Sequence, residues 1–235
     1  MNRPRALLIF AIALGLQQYS FAQEQSGIVG FAKEFAQDQR GLWTSPLRVD
    51  RQDMKWLLPL SMGAATLLRA DRSVSSEVQE TNSLRTPSRF ISQAGTYPVF
   101  ATPLAMMVLG RLSHSERTTQ AGTVGLQAAL QSTLIVQVLK ASTNRERPDK
   151  NHGSGGFWDG GKSFPSGHAM ATWALASAMA DQYSDKKWIG ITGYSVATAV
   201  SLSRIGGLNH FPSDVLVGSS VGWLVGHYVS RHHKH

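Results

Sequence analysis

The chain has 235 residues, 42% of them hydrophobic and 16% charged, a balance that excludes a disordered polymer. It has no cysteine, which excludes disulfides, thiolate metal sites and a cysteine nucleophile. Lys+Arg number 23 against 15 Asp+Glu, a net charge of +8 that suits an anionic partner.

Residues 1–22 read as a secretory signal. Arg3 and Arg5 precede an apolar run over 6–16, and small residues, Ser20 and Ala22, stand where a signal peptidase reads. Eleven apolar residues span about 16 Å as a helix, too short for a hydrocarbon core of about 30 Å. The segment predicts an exported, periplasmic protein. Its removal takes Arg3 and Arg5, leaving 21 positive charges against 15 acids.

Residues 23–53 read as an N-terminal extension packing on the core, 54–230 as one helical domain, and 231–235 as a basic tail. Helical patterns cover 54–68, 97–112, 121–140, 168–183, 188–203 and 215–228. Strand signals are weak. The fold class expected is all-α, a six-helix bundle. A polar loop is predicted over 71–89 and a glycine-rich loop over 147–165. Uncharged stretches at 90–110 and 121–139 are interrupted by Gln, Ser, Gly and Pro, so none is a clean span of 18 apolar residues. The pattern predicts a soluble exported bundle, with a membrane-embedded or membrane-associated form as the alternative.

Chemistry concentrates in three motifs. In the first, Lys140 closes a long helix, six residues intervene, and Arg147-Pro148 follows; Pro148 cannot continue a helix. In the second, Phe164-Pro165-Ser166-Gly167-His168 precedes the alanine-rich helix. Ser166 is a candidate N-cap, and the free N–H groups of the first turn form an anion site. Gly167 lets backbone approach a ligand, and His168 stands beside it as a proton donor. The third motif is Ser203-Arg204, five residues, His210, three residues, Asp214. Gly206-Gly207 breaks one helix and Pro212 starts the next, with Asp214 in its first turn. Asp214 can hold one nitrogen of His210 and leave the other to attack.

In order and spacing, these motifs resemble the signature of the type 2 phosphatidic acid phosphatase superfamily: Lys-x6-Arg-Pro, Pro-Ser-Gly-His, and Ser-Arg-x5-His-x3-Asp. The resemblance runs from Lys140 to Asp214. It implies the helical core of acid phosphatases and vanadium haloperoxidases, and a phosphoric monoester hydrolase that works without metal or other cofactor. It implies that Lys140, Arg147, Ser166, Gly167 and Arg204 bind phosphate. His210 would form a phosphohistidine, Asp214 would orient it, and His168 would serve as acid and then base. Secreted acid phosphatases of the superfamily usually have threonine after the Pro-Ser-Gly-His histidine; here it is Ala169. The substrate implied is a lipid or small-molecule phosphate. Alternatives are a vanadium-dependent haloperoxidase, against which the modest length argues, and a membrane-embedded lipid pyrophosphate phosphatase. Phe157 and Trp158 are candidates to line an apolar substrate pocket. His114, His152 and His227 look isolated. Scattered basic residues and the lack of a binding motif argue against nucleic acid.

Overall fold

The computed structural model describes residues 29–81, 83, 85–150 and 153–233. The predicted signal over 1–22 lies outside them. The chain divides into two compact units, Met1–Pro46 and Leu47–His235. In the first, residues 29–44 form a helix in which Phe31 and Phe35 stack at 6.5 Å and Trp43 Nε1 donates to Gln39 Oε1 at 2.8 Å.

The second unit is all-α among its described residues. Its helices are α1 (Met54–Glu80), α2 (Arg85–Thr96), α3 (Pro98–Leu112), α4 (Glu116–Thr143), α5 (Gly167–Gln182), α6 (Lys187–Gly206) and α7 (Pro212–His232). There are seven of these, not six, and the polar loop expected over 71–89 is not a loop. Its first half continues α1 and its second half begins α2. The reason is that these segments bury polar side chains: Asp71 and Ser75 on α1, Ser88 and Ser92 on α2. A search for apolar periodicity is blind to such a face. The basic tail likewise begins inside a helix, since α7 continues through Arg231 and His232.

The helix ends follow ordinary rules. Ser115 caps α4, its side chain accepting from the Thr118 N–H. Asn144 ends the helix in the left-handed conformation that Asn tolerates, its N–H donating to Lys140 O at 2.9 Å. Pro98 and Pro212 occupy first-turn positions of α3 and α7.

The alanine-rich α5 is the central helix, packed by α4, α6 and α7. Ala169, Ala174 and Ala178 are fully buried. Helix α7 runs parallel to α5 at very close range. A Cβ on Gly218 would stand 2.6 Å from Ser166 O, one on Gly222 2.2 Å from Met170 O, and one on Gly226 2.2 Å from Ala174 O. Glycine every fourth residue therefore rides over α5 backbone every fourth residue. This parallel pairing brings both helix N-termini to the same end, where the last turns of α4 and α6 also arrive.

Candidate active site

Lys140 stands in the last turn of α4, and its Nζ donates to Lys162 O at 2.6 Å. Its Cε lies 3.8 Å from where a Cβ on Gly167 would be, an ordinary van der Waals contact. Arg147 follows in the loop after α4, four residues past the end of the helix. Ser166 occupies the N-cap position of α5 without acting as a side-chain cap: its Oγ is buried and has no hydrogen-bond partner. Gly167 and His168 begin that helix, whose first-turn N–H groups lack intrahelical acceptors.

Arg204 ends α6. Its Nη1 donates to Ser92 Oγ of α2, while its buried Nε has no partner. The Asn209 and His210 N–H groups both donate to Arg204 O, at 3.0 and 3.2 Å, curling the connection back on the helix. That curl carries His210 inward, to 2% exposure. Its Nδ1 lies 3.7 Å from Asp214 Oδ2, an ion-pair distance rather than a hydrogen bond. Burial pushes the His210 pKa down to about 4, against the opposite pull of Asp214.

Asp214 is the third residue of α7 and is fully buried. Oδ2 accepts from the Phe211 N–H at 2.9 Å and from Ser163 Oγ at 2.5 Å; Oδ1 accepts from Arg145 Nη1 at 2.5 Å. Arg145 Nη2 reaches Asp71 of α1 at 2.7 Å. Sequence reasoning passed over Arg145, Asp71, Ser163 and Ser213. Arg145 sat among the six unspecified residues of the first motif, and Asp71 in a presumed loop.

All eight predicted positions meet at one end of the unit. The charges of Lys140, Arg147 and Arg204 all bear on His168, and so does His210. Three cations and a helix N-terminus thus face one histidine, with a second histidine backed by a carboxylate. Such a cradle suits a phosphoryl group. The aromatic pair splits. Phe157 packs against Phe164, while Trp158 is 77% exposed, its Nε1 tied to Ser142 O at 3.1 Å. His227 is not isolated, since its Nδ1 meets Asp181; His152 lies outside the described residues. Among the described residues no cluster of three His, Asp or Glu side chains is arranged to hold a metal.

The lipid A 1-phosphatase of Porphyromonas gingivalis is 26% identical over 234 residues, covering 96% of this chain and 50% of that protein. This chain therefore spans about half the length of that curated relative. A transmembrane PAP2-type phosphatidylglycerolphosphate phosphatase from Bacillus subtilis shares the fold, with a TM-score of 0.58 and 24% identity over 76% of this chain and 94% of that one. Residues 121–234, which hold every predicted site position, match the PAP2 superfamily.

Proposed function

We propose that this protein is a membrane-embedded lipid phosphatase that hydrolyses a phosphate monoester through a phosphohistidine. The observation that carries the reading is a pair of buried polar atoms left without partners at one cradle: Ser166 Oγ and Arg204 Nε. Burying such groups unpaired costs about 1–3 kcal/mol each, a cost that an arriving phosphate can offset.

In the proposed reaction Lys140, Arg147, Arg204, Ser166 and the Gly167 N–H hold the phosphoryl oxygens. His210 Nε2 attacks phosphorus in line with the ester oxygen. The N–P bond forms, the P–O ester bond breaks, and His168, protonated once the bound phosphate's negative charge offsets the surrounding cations, gives its proton to the departing alkoxide. Water then attacks the phosphohistidine and passes a proton to His168. The P–N bond breaks, inorganic phosphate leaves, and both histidines return to their starting states. Asp214 matches the positive charge of the phosphorylated ring. This chemistry asks for positioning and charge stabilisation, which the cradle supplies without a metal.

The exposed surface supports a lipid substrate. Every helix of the unit except α5 exposes large apolar side chains, among them Trp56, Met62, Phe90, Leu109, Leu112, Ile191 and Leu202. The curated and solved relatives are named for lipid phosphates, and the solved one for its place in a membrane. These features support the membrane alternative over the soluble bundle expected from composition.

The test is a substrate panel on the full chain in detergent with a chelator present. It contrasts an aryl phosphate, nucleotides and sugar phosphates with phosphatidic acid, phosphatidylglycerolphosphate, lipid A and an isoprenyl pyrophosphate. The expected result is metal-free hydrolysis favouring lipid monoesters, with vanadate inhibiting. His210→Ala is expected to lower kcat by several orders of magnitude, because it removes the nucleophile. His168→Ala is expected to cost about 10² to 10⁴, most with poor leaving groups. An unchanged rate in His210→Ala rejects the phosphohistidine.

A further inference from the structure

We infer that Arg145 and Asp71 are positioning residues for His210, acting through the Asp214 carboxylate. Their proposed role rests on the phosphatase reading above. Asp71 lies outside the stretch that matches the family.

Arg145 differs from the other cations of the site. Its side chain is 3% exposed, and its donors are already engaged. Nε donates to Gly155 O at 3.1 Å, Nη1 to Ser213 Oγ at 2.8 Å and to Asp214 Oδ1, and Nη2 to Asp71 Oδ2. The rings of Phe157 and Phe211 lie against the guanidinium, with centroids at 4.8 and 4.4 Å. A guanidinium so enclosed does not reach a substrate phosphate. It can only act on what it holds.

What it holds is the carboxylate that faces the nucleophile. With Oδ1 fixed by Arg145, Oδ2 is left to Ser163, to the Phe211 N–H and to His210 Nδ1. A carboxylate fixed in this way favours the tautomer with the proton on Nδ1 and the lone pair on Nε2. Asp71 completes the clamp. It accepts from the Ser213 N–H at 3.0 Å and from Ser213 Oγ at 2.5 Å, which locks the first turn of α7 to α1. The charges also fit. Two carboxylates against one guanidinium leave one negative charge in the buried cluster, and the phosphorylated imidazole brings one positive charge.

The test uses full-length protein in detergent micelles, with histidine labelled by nitrogen-15, and two conservative variants. Arg145→Lys keeps the charge but not the fork that spans Asp71 and Asp214. Asp71→Asn keeps the shape and removes one charge. Wild type is expected to show His210 protonated on Nδ1 at neutral pH. In each folded variant we expect mixed tautomers at His210 and a kcat lowered by about 10²-fold with KM little changed, as for a misplaced nucleophile. A folded variant with the wild-type tautomer overturns the role, whether kcat falls or not; so does a mixed tautomer with undiminished kcat. If one variant fails to fold, the other decides. If wild type hydrolyses nothing in the panel, the phosphatase reading fails while the nitrogen spectra still report whether the clamp sets the tautomer.

Discussion

His210 carries the sharpest consequence at the scale of single residues. Its pKa of about 4 keeps the ring neutral, and so nucleophilic, through the whole range in which a free histidine charges. The acid limb of kcat/KM assigned to the nucleophile is therefore expected near pH 4 rather than near 6.5. A rate profile on an aryl phosphate, corrected for the substrate's own ionisation, checks it. Stability follows the same sign. The unfolded ring binds a proton near pH 6.5 and the folded ring only near 4, so its contribution is whole above 6.5 and is lost as pH falls toward 4. The residues that touch phosphate were legible because their spacing is a signature that few other chemistries need. The residues behind them were not. Arg145 meets Asp71 across 74 positions of sequence, and nothing local marks either as a partner of the other.

At the scale of elements, the site depends on how closely α5 and α7 approach, because that approach sets Ser166 beside Asp214; the Ser166 N–H donates to Asp214 O at 3.0 Å. Gly222 is the centre of the contact. A methyl there would stand 2.2 Å from Met170 O and 2.9 Å from its carbonyl carbon, and backbone cannot move aside cheaply. Gly222→Ala is expected to destabilise the fold by about 1–3 kcal/mol as overpacking does, and to lower kcat by parting the two N-termini. Gly63 of α1 is the control. A methyl there meets only Leu216 Cδ2, at 3.6 Å, so Gly63→Ala is expected to be neutral or to gain up to about 1 kcal/mol of helix propensity. Thermal unfolding in detergent reads both. Most helices were legible from apolar runs, and Gly206-Gly207 and Pro212 marked the turn into α7. Helix α2 was illegible because its polarity is inverted: it buries Ser88 and Ser92 and exposes Phe90 and Ile91.

Beyond α2, polar side chains share the described interior with apolar ones such as Val124, Met170 and Val229. The interior holds Gln127, Gln131, Ser132, Ser177, Ser201 and the charged cluster of Arg145, Asp71 and Asp214, while tryptophans and leucines face outward. An average over composition cannot tell which side the polar residues occupy, so 42% apolar was indecisive. Placement adds what the average leaves out. Trp188 starts α6 and Arg204 ends it at the site, a separation of about 24 Å at 1.5 Å per residue. Trp56 and Trp188 thus lie toward the end far from the site and Trp158 beside it, and between them exposed apolar side chains such as Met62, Ile191 and Leu202 alternate with Ser61, Thr192, Ser195 and Thr198. Tryptophan near both ends of a bundle is a feature of membrane proteins' outer surfaces, although here Trp223, 41% exposed on α7, stands at an intermediate level. Among the described residues only α4 is long and apolar enough, by length and composition, to cross a bilayer. The protein is therefore expected to stay with membranes through high salt and alkaline carbonate, and to leave them only in detergent. Leu109→Arg, on an exposed part of α3, should cost about 2.5–3.5 kcal/mol of insertion if it lies at mid-bilayer, and should lower the membrane-bound yield without touching the cradle. Release of the wild-type chain by salt alone would show that the exposed apolar side chains face water, and would return the substrate to a soluble phosphate.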